Sequence, residues 1–414
     1  MVFSKHTDAK VNFLSFLWHA LFLALAKNFM DVNTIIPTML MNAGGSTTDL
    51  GILTAIMIGG ASFMQIVFAG FLFKKVFKKK YLLIGIYLRV SALLGLGFLL
   101  SQAGTMPALY VISSIYILIS IFSFSGAFAN IPYTDILGKS IIGDARKNFF
   151  VTRQIIVSVG ILVSAILVRY LVRQYEYPQN YTVLFTSASM LLLVATIGFW
   201  MIREKPTNFN GSGIDLLSVF TAFKKMFEED RNLRYYTLLI NSTGIGLTLV
   251  PFYISLAKER LGLTAEAVGN FLLFQIIGMI VSNILWRLLV KNGTYKSVIR
   301  TYAVIGSLLP ILALLFSTNK TIYPFIFLLS GFNISAYQIA VPGILLEISR
   351  EQNRALYTAL SGAGSFFTIL FPLIAGVLIS AVGYPFVFGI SIVITATSIL
   401  FVNQLNCKNR IENK

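Results

Sequence analysis

The sequence predicts an all-α membrane protein, with twelve transmembrane helices forming two pseudo-symmetric six-helix bundles. Three observations predict it. The 414 residues are 56% hydrophobic and only 12% charged, too apolar for the surface of a soluble chain of this length. Apolar runs that reach the roughly 20 residues needed to cross a bilayer recur from end to end. Lys and Arg collect at every second break between those runs. The runs are continuous rather than alternating, so helices satisfy the backbone in hydrocarbon, not barrel strands.

The spans fall approximately at 11–41, 50–73, 80–101, 107–137, 148–173, 181–202, 233–257, 265–290, 296–316, 323–348, 354–381 and 384–405. The formal charge of +17 invites a nucleic-acid reading, but its distribution excludes one. Basic clusters such as Lys74 to Lys80, Arg146 with Lys147, Arg203 with Lys205, and Lys291 with Lys296 all sit on one side, with both termini. The opposite breaks hold only Arg169, Arg173, Lys258, Arg260 and Lys320. The positive-inside rule therefore places both termini in the cytoplasm, in a multi-pass protein of the bacterial inner membrane. The basic excess also favours anionic headgroups, so the lipid bilayer is the first partner. The single cysteine, Cys407, excludes a disulfide framework or a Cys-based metal site within one chain. Ala24-Leu25-Ala26 imitates a signal-peptidase site, but the apolar run continues to Met41, and the segment is read as retained.

Residues 203–232 are the longest polar interval, dividing an N-terminal bundle (1–202) from a C-terminal bundle with a short tail (233–414). Within it Leu216, Leu217, Phe220, Phe223 and Phe227 recur near helical spacing, as in an amphipathic helix at the cytoplasmic interface that tethers the halves. The halves echo one another. Gly70-Phe71-Leu72 precedes the Lys74 to Lys80 cluster between spans two and three, and Asn283-Ile284-Leu285-Trp286 precedes Lys291, Gly293 and Lys296 between spans eight and nine. Pro132, Arg146 and Phe149 lie between spans four and five much as Pro342, Arg354 and Tyr357 lie between ten and eleven. Matching features in two six-span halves indicate a parallel repeat.

This layout resembles the major facilitator superfamily of secondary transporters over essentially the whole chain. The stretch from Pro251-Phe252-Tyr253 through Leu261 and Gly269 to Asn283-Ile284-Leu285-Trp286 is similar to spans seven and eight of poorly characterised bacterial members. The family's loop motif, Gly-x-Leu-x-Asp-Arg-x-Gly-Arg-Arg, is worn here: Lys74 stands in the place of its Asp, Phe77 in the place of its second Gly, and Lys291 near the Asp position of the second copy. By this resemblance Gly70, Lys74, Lys78, Lys291 and Gly293 belong to gating loops, and spans one, four, seven and ten line a central cavity. The Gly-Pro motif carried in span five by drug/proton antiporters of the family is missing, since no proline occurs from Asn148 to Arg173.

An ionisable residue in mid-span costs about 2.5–3.5 kcal/mol on insertion scales, so each one is a functional candidate. Lys27 and Asp31 are four apart in span one, hence on one face of a continuous helix, with Thr34 and Thr38 extending the stripe. Asp31 is the expected proton site, and Lys27 is expected to alternate between it and substrate; the competing reading is a static ion pair. Arg89, near mid-bilayer in span three, reads as a brace between helices, with an anionic ligand as the alternative. Arg153, beside Gln154, is close enough to the cytoplasmic face to snorkel or to guard the inner mouth. Asn28 adjoins the Lys27 stripe.

Neutral polar residues supply further substrate-binding candidates: Tyr116 and Asn130 in span four, Asn241 and Tyr253 in span seven, and Asn333, Tyr337 and Gln338 in span ten, with Gln65 and Gln275 as second-tier lining. Any one of them also serves as glue between helices. Enzyme chemistry is not written here. Leu137-Gly138-Lys139-Ser140 resembles the end of a nucleotide-binding loop, but Tyr133 occupies the required first glycine position. His6 and His19 are too few for a His-based metal site, so no cofactor is expected, and a proton-relay role for His19 stays open beside a structural one. Without a nucleotide site, energy must come from a gradient. The expectation is a monomeric secondary active transporter of a small polar, anionic or zwitterionic solute, coupled to protons and working by alternating access. Translocation of a lipid, amphiphile or drug by the same fold, and a receptor or sensor without flux, are the alternatives.

Overall fold

Every described element is helical. The computed structural model describes residues 2–73, 75–141, 144–206, 221, 227–292, 294–349, 357 and 364–407; Lys74, Gly293 and most of the expected amphipathic linker helix lie outside them. Ten helices among the described residues are long and apolar enough to cross a membrane. Two shorter apolar helices, Thr47–Gly60 and Phe366–Val382, fall where spans two and eleven were expected.

The chain divides into two compact units, one comprising 1–44 with 60–214 and the other 45–59 with 215–414. The first contains α1 (Val2–Lys27), α2 (Ile35–Asn42), α4 (Ala61–Phe73), α5 (Lys79–Ser101), α6 (Ala108–Ser140), α7 (Asp144–Gln174) and α8 (Gln179–Met201). The second contains α3 (Thr47–Thr54), α9 (Arg231–Thr248), α10 (Val250–Leu261), α11 (Ala265–Asn292), α12 (Tyr295–Leu315), α13 (Pro324–Ile348), α14 (Phe366–Val382) and α15 (Tyr384–Gln404). Between α3 and α4 lies a π-helical segment, Ala55–Gly60, in which the boundary between the two units falls.

The first unit packs α5 against α6 and α8, α1 against α7 and α8, and α4 against α6. The second packs α12 against α13 and α15, α9 against α14 and α15, and α11 against α13. These are the same five pairings, taken in the same order along the chain. The fine detail repeats too. In the first unit the Asn12 side chain donates to the Arg203 carbonyl at 3.0 Å and accepts from its amide at 2.8 Å. In the second, the Asn232 side chain makes the same two bonds to Asn406, at 3.3 and 2.9 Å. Lys79 Nζ then caps the end of α8 on the carbonyls of Trp200 and Ile202, at 2.7 and 2.8 Å, as Lys296 Nζ caps the end of α15 on the carbonyl of Leu405 at 2.6 Å. Helix C-termini expose carbonyls and negative partial charge, which a lysine satisfies on both counts.

Apolar side chains gain nothing by leaving lipid for one another, so the helices associate through small residues and close backbone approach. The pair α11 and α13 shows this most sharply. A Cβ built on Gly278 would stand 2.0 Å from the Leu328 carbonyl oxygen, and one on Gly331 would stand 2.2 Å from that of Gln275. Gly278→Val or Gly331→Val is expected to force the two helices apart and cost about 1–3 kcal/mol, read as a lower unfolding temperature of the detergent-solubilised protein. Beyond α15, burial pushes the Cys407 thiol up to about 11, with Lys296 working against the rise and Glu347 adding to it. Less thiolate is therefore present at neutral pH. Maleimide labelling of this lone cysteine at pH 7 should run about tenfold or more slower than that of a free thiol of pKa about 8.5, and should accelerate steadily as pH rises.

Candidate functional site

The first membrane span does not run straight through. α1 ends at Lys27, a 3₁₀ turn covers Asn28–Met30, Asp31 is extended with φ −65° and ψ 129°, and α2 begins only at Ile35. The expected face shared by Lys27 and Asp31 on one continuous helix is therefore not formed. The cause lies in Asp31 itself. Its Oδ1 accepts from the amides of Asn33 at 3.0 Å and Thr34 at 2.8 Å and from the Thr34 hydroxyl at 2.8 Å, which folds a local turn leading up to Thr34, the residue that precedes α2. Ile36 N–H bonds the Asp31 carbonyl at 3.0 Å, and the Thr38 hydroxyl bonds that of Thr34 at 2.6 Å. Backbone amides of Asn33, Thr34 and Ile36 freed by the break thus find local partners, which hydrocarbon favours. Asn28 closes the other side by donating to the Ile161 carbonyl on α7 at 2.7 Å, while its own Oδ1 is buried without a partner.

Lys27 and Asp31 form no ion pair among the described residues, yet both line one cavity of about 370 Å³ inside the first unit. Lys27 is exposed to this space, and Asp31 is nearly buried at 9% exposure. His19, Arg89, Tyr133 and Arg153 line the same cavity and an adjoining one of about 180 Å³, which Asn130 also reaches. The His19 ring lies 4.0 Å from that of Phe199 and 6.0 Å from that of Tyr133, and its Nδ1 is buried with no partner. The Arg89 guanidinium lies over the Phe122 ring at 4.3 Å, beside Gly126, where a Cβ would come within 3.3 Å of Cζ. The Nε atoms of Arg89 and Arg153 are both buried and unbonded. Arg89 was expected as a brace or as a ligand for an anionic group, and Arg153 as a snorkelling residue or a guard of the inner mouth; both line the cavity wall.

Other candidates stand elsewhere. Tyr116 lies in an outer apolar groove with Phe68, Leu88 and Phe128. Asn241, in the second unit, has its amide fully engaged: it donates to the carbonyls of Thr237 at 2.9 Å and Gly364 at 2.7 Å and accepts from the Thr368 amide at 3.2 Å, which ties α9 to the start of α14. Tyr253 is buried, its ring edge-on to Phe388, and its carbonyl accepts from Tyr323 at 2.8 Å. Asn333 is buried in the second unit, its Nδ2 beside Gly306 and its Oδ1 without a partner; Tyr337 is half-buried one turn on, and Gln338 is exposed. Gln275 on α11 is buried with an unbonded Oε1. Gln65 and Gly70 lie on α4 and Lys291 near the end of α11.

Lys78, expected in a gating loop, is buried at the start of α5. Its Nζ pairs with Asp135 at 3.1 Å; Lys139 pairs with the same carboxylate at 2.6 Å and with Glu204 at 3.3 Å. Glu204 also accepts from the backbone amides of Lys78 at 2.7 Å and Lys79 at 2.8 Å, capping α5 where no local side chain does so. Sequence reasoning missed His19 and Tyr133 as partners of the cavity, and Asp135 and Glu204 as anchors of the basic loop. A usable signal existed for the first pair: Gly126, Asn130 and Tyr133 recur at helical spacing on one face of α6, opposite the His19 and Lys27 face of α1.

The family model described as "Major Facilitator Superfamily" matches residues 235–405. No curated protein matches the chain by sequence. Solved structures do resemble it. A D-xylose-proton symporter is 14% identical with TM-score 0.67, covering 95% of this chain and 98% of its own. The nucleoside transporter NupG is 12% identical with TM-score 0.67, covering 95% and 97%. A bacterial homologue of the iron transporter ferroportin, in an inward-facing state, is 11% identical with TM-score 0.70, covering 95% and 98%. At such identities the likeness shows a shared fold of membrane transporters and carries nothing about cargo.

The anchoring role of Glu204 is measurable. Glu204→Ala strips α5 of its cap and leaves buried amides unbonded, and is expected to cost about 1–3 kcal/mol of stability; Glu204→Gln, which can still accept, should cost less, in thermal unfolding of the purified protein.

Proposed function

We propose that this chain is a secondary active transporter of the Major Facilitator Superfamily that moves a small polar, anionic or zwitterionic solute across the cytoplasmic membrane, with twelve spans in two six-helix bundles (1–202 and 233–414) that alternate access to a central site. The observation that carries the reading is the break in span one: Lys27 and Asp31 flank an unwound turn and line a cavity in the middle of an apolar span. Irregular backbone is tolerated at membrane depth only where it is enclosed by protein or lines a water-filled space, and transporters use such broken helices to hold cargo and coupling ions.

Asp31 divides its labour. Oδ1 holds the turn that leads into α2, whereas Oδ2 has no hydrogen-bond partner among the described residues. An unpaired carboxylate in this position is costly, so it is balanced either by the Lys27 ammonium across the cavity or by a proton. A solute that draws Lys27 to itself leaves the proton as the remaining balance. Binding of cargo and of H⁺ are coupled through one charge-neutrality condition. A solved structure of the same fold is named as a proton symporter, which supports H⁺ as the coupling ion.

The test is uptake into proteoliposomes with and without an imposed pH gradient, screened over carboxylates, phosphates, amino compounds, sugars and lipids. Asp31→Asn keeps an oxygen to hold the turn before α2 but loses the charge. It is expected to fold as wild type, to lose gradient-driven accumulation, and to retain solute exchange. Asp31→Ala should in addition lose about 1 kcal/mol of stability with the hydrogen bonds of that turn. Accumulation by Asp31→Asn at the wild-type level would remove Asp31 from coupling, and solute binding without flux would indicate a receptor instead.

A further inference from the structure

We infer that the cavity lined by α1, α5, α6 and α7 in the first unit is an anion site, and that its solute brings a dianionic charge held by the guanidinium groups of Arg89 and Arg153. The identification of the occupant as cargo rests on the transport reading above. The anion site itself rests on the cavity alone.

The charge inventory is the first observation. The residues lining the larger cavity include three cations, Lys27, Arg89 and Arg153, and one carboxylate, Asp31; His19 and Tyr133 are the other titratable groups that face it. Arginine is charged at any accessible pH. Even with Asp31 ionised, the wall holds an excess of two positive charges within helices long and apolar enough to span a membrane. Neither arginine forms an ion pair with a carboxylate among the described residues, unlike Lys78 and Lys139 at the end of the same unit, which share Asp135. An uncompensated charge at membrane depth is expensive and persists where it serves a pathway or ligand.

Geometry is the second. Both arginine side chains line the cavity, their Nε atoms buried and without hydrogen-bond partners, and Tyr133 is the side-chain partner of Arg153, so neither guanidinium has an acidic partner in the wall. Phe122 covers one face of the Arg89 guanidinium, and Gly126 leaves clearance beside it that any side chain would remove. A guanidinium fixed in this way presents a planar fork of N–H donors, the arrangement that fits the paired oxygens of a carboxylate or phosphate. A neutral solute would leave both guanidinium charges without a counter-charge. A phosphate monoester or a dicarboxylate cancels the excess of two, and the adjoining volumes of about 180 and about 370 Å³ suit a small organic anion.

The purified full-length protein is titrated with inorganic phosphate, succinate, acetate and glucose, and thermal unfolding is followed. Phosphate or succinate should raise the unfolding temperature at concentrations where acetate and glucose do not, and the stronger of the two tells a phosphate from a dicarboxylate site. In Arg89→Gln and Arg153→Gln the stabilising concentration should rise at least about tenfold, as loss of a charge-assisted contact implies. The unliganded Arg89→Gln protein should unfold no earlier than wild type, because a repelled charge has been removed; a purely structural brace would make it less stable. Should either glutamine variant fail to fold, Gly126→Ala and Arg153→Lys keep every charge but disturb the forks, and should weaken dianion binding by a similar factor. The inference is overturned if neither dianion outperforms acetate and glucose on the wild type, or if the variants respond as wild type does. Proteoliposome flux separates the two readings: a dianion that binds at this site but is neither taken up nor exchanged leaves the anion site and removes transport, whereas flux of a neutral solute without dianion binding does the reverse.

Discussion

Within hydrocarbon a backbone amide released from its helix has no water to turn to, and the rest of this structure is arranged around that constraint. Span one breaks at Asn28 to Thr34, and the break survives because Asp31 Oδ1 collects two amides and a hydroxyl while Asn28 ties the turn to α7. The residue that makes the break tolerable is also the only acid lining the cavity. Removing the carboxylate altogether and removing its charge are therefore different perturbations, a separation that few buried acids offer.

Two regions of the first unit treat positive charge in opposite ways. The ammonium groups of Lys78 and Lys139 each meet a carboxylate, Asp135 or Glu204, and the same Glu204 caps α5, so charge there fastens helices together. Around Arg89 and Arg153 the fixed charges are left without carboxylate partners. Structural ion pairs in a low-dielectric setting are stable only when each charge is matched. The unmatched pair marks the part of the protein that is completed by something it binds.

The spans were legible in the sequence because they follow from additive properties of composition: run length and apolarity. Ten of the twelve expected runs emerge as helices of spanning length, and the other two correspond to one helix interrupted by a π segment and another of 17 residues, Phe366–Val382. What stayed hidden depends on pairing across long sequence distances. Lys27 and Asp31 read as one helical stripe because spacing assumes an unbroken helix, and nothing local announces that an aspartate will hold the turn before the next segment instead of facing its lysine. Arg89 read as a brace because span three is peripheral in transporters this chain resembles; only the clearance at Gly126 on a neighbouring helix reveals which way the guanidinium turns. Asn241 had the composition of a ligand and the environment of a tie, with both ends of its amide used by backbone.

The internal repeat was visible only as loose echoes of glycine, proline and basic residues, yet the five helix pairings recur in order and the asparagine clasps at Asn12 and Asn232 are chemically identical. The reason for the difference is energetic. Lipid-facing positions accept any apolar side chain, so the sequence of a membrane repeat is free to drift across most of its surface. Helix ends are not free in this way, because an unsatisfied carbonyl or amide near the bilayer costs the same in either half. Lys79 and Lys296 accordingly cap the ends of α8 and α15 from equivalent places, although the residues around them differ. The repeat is retained where the backbone demands a partner, and the cavity of the first unit, with its arginines and its broken helix, is where the local demands are set by the occupant instead.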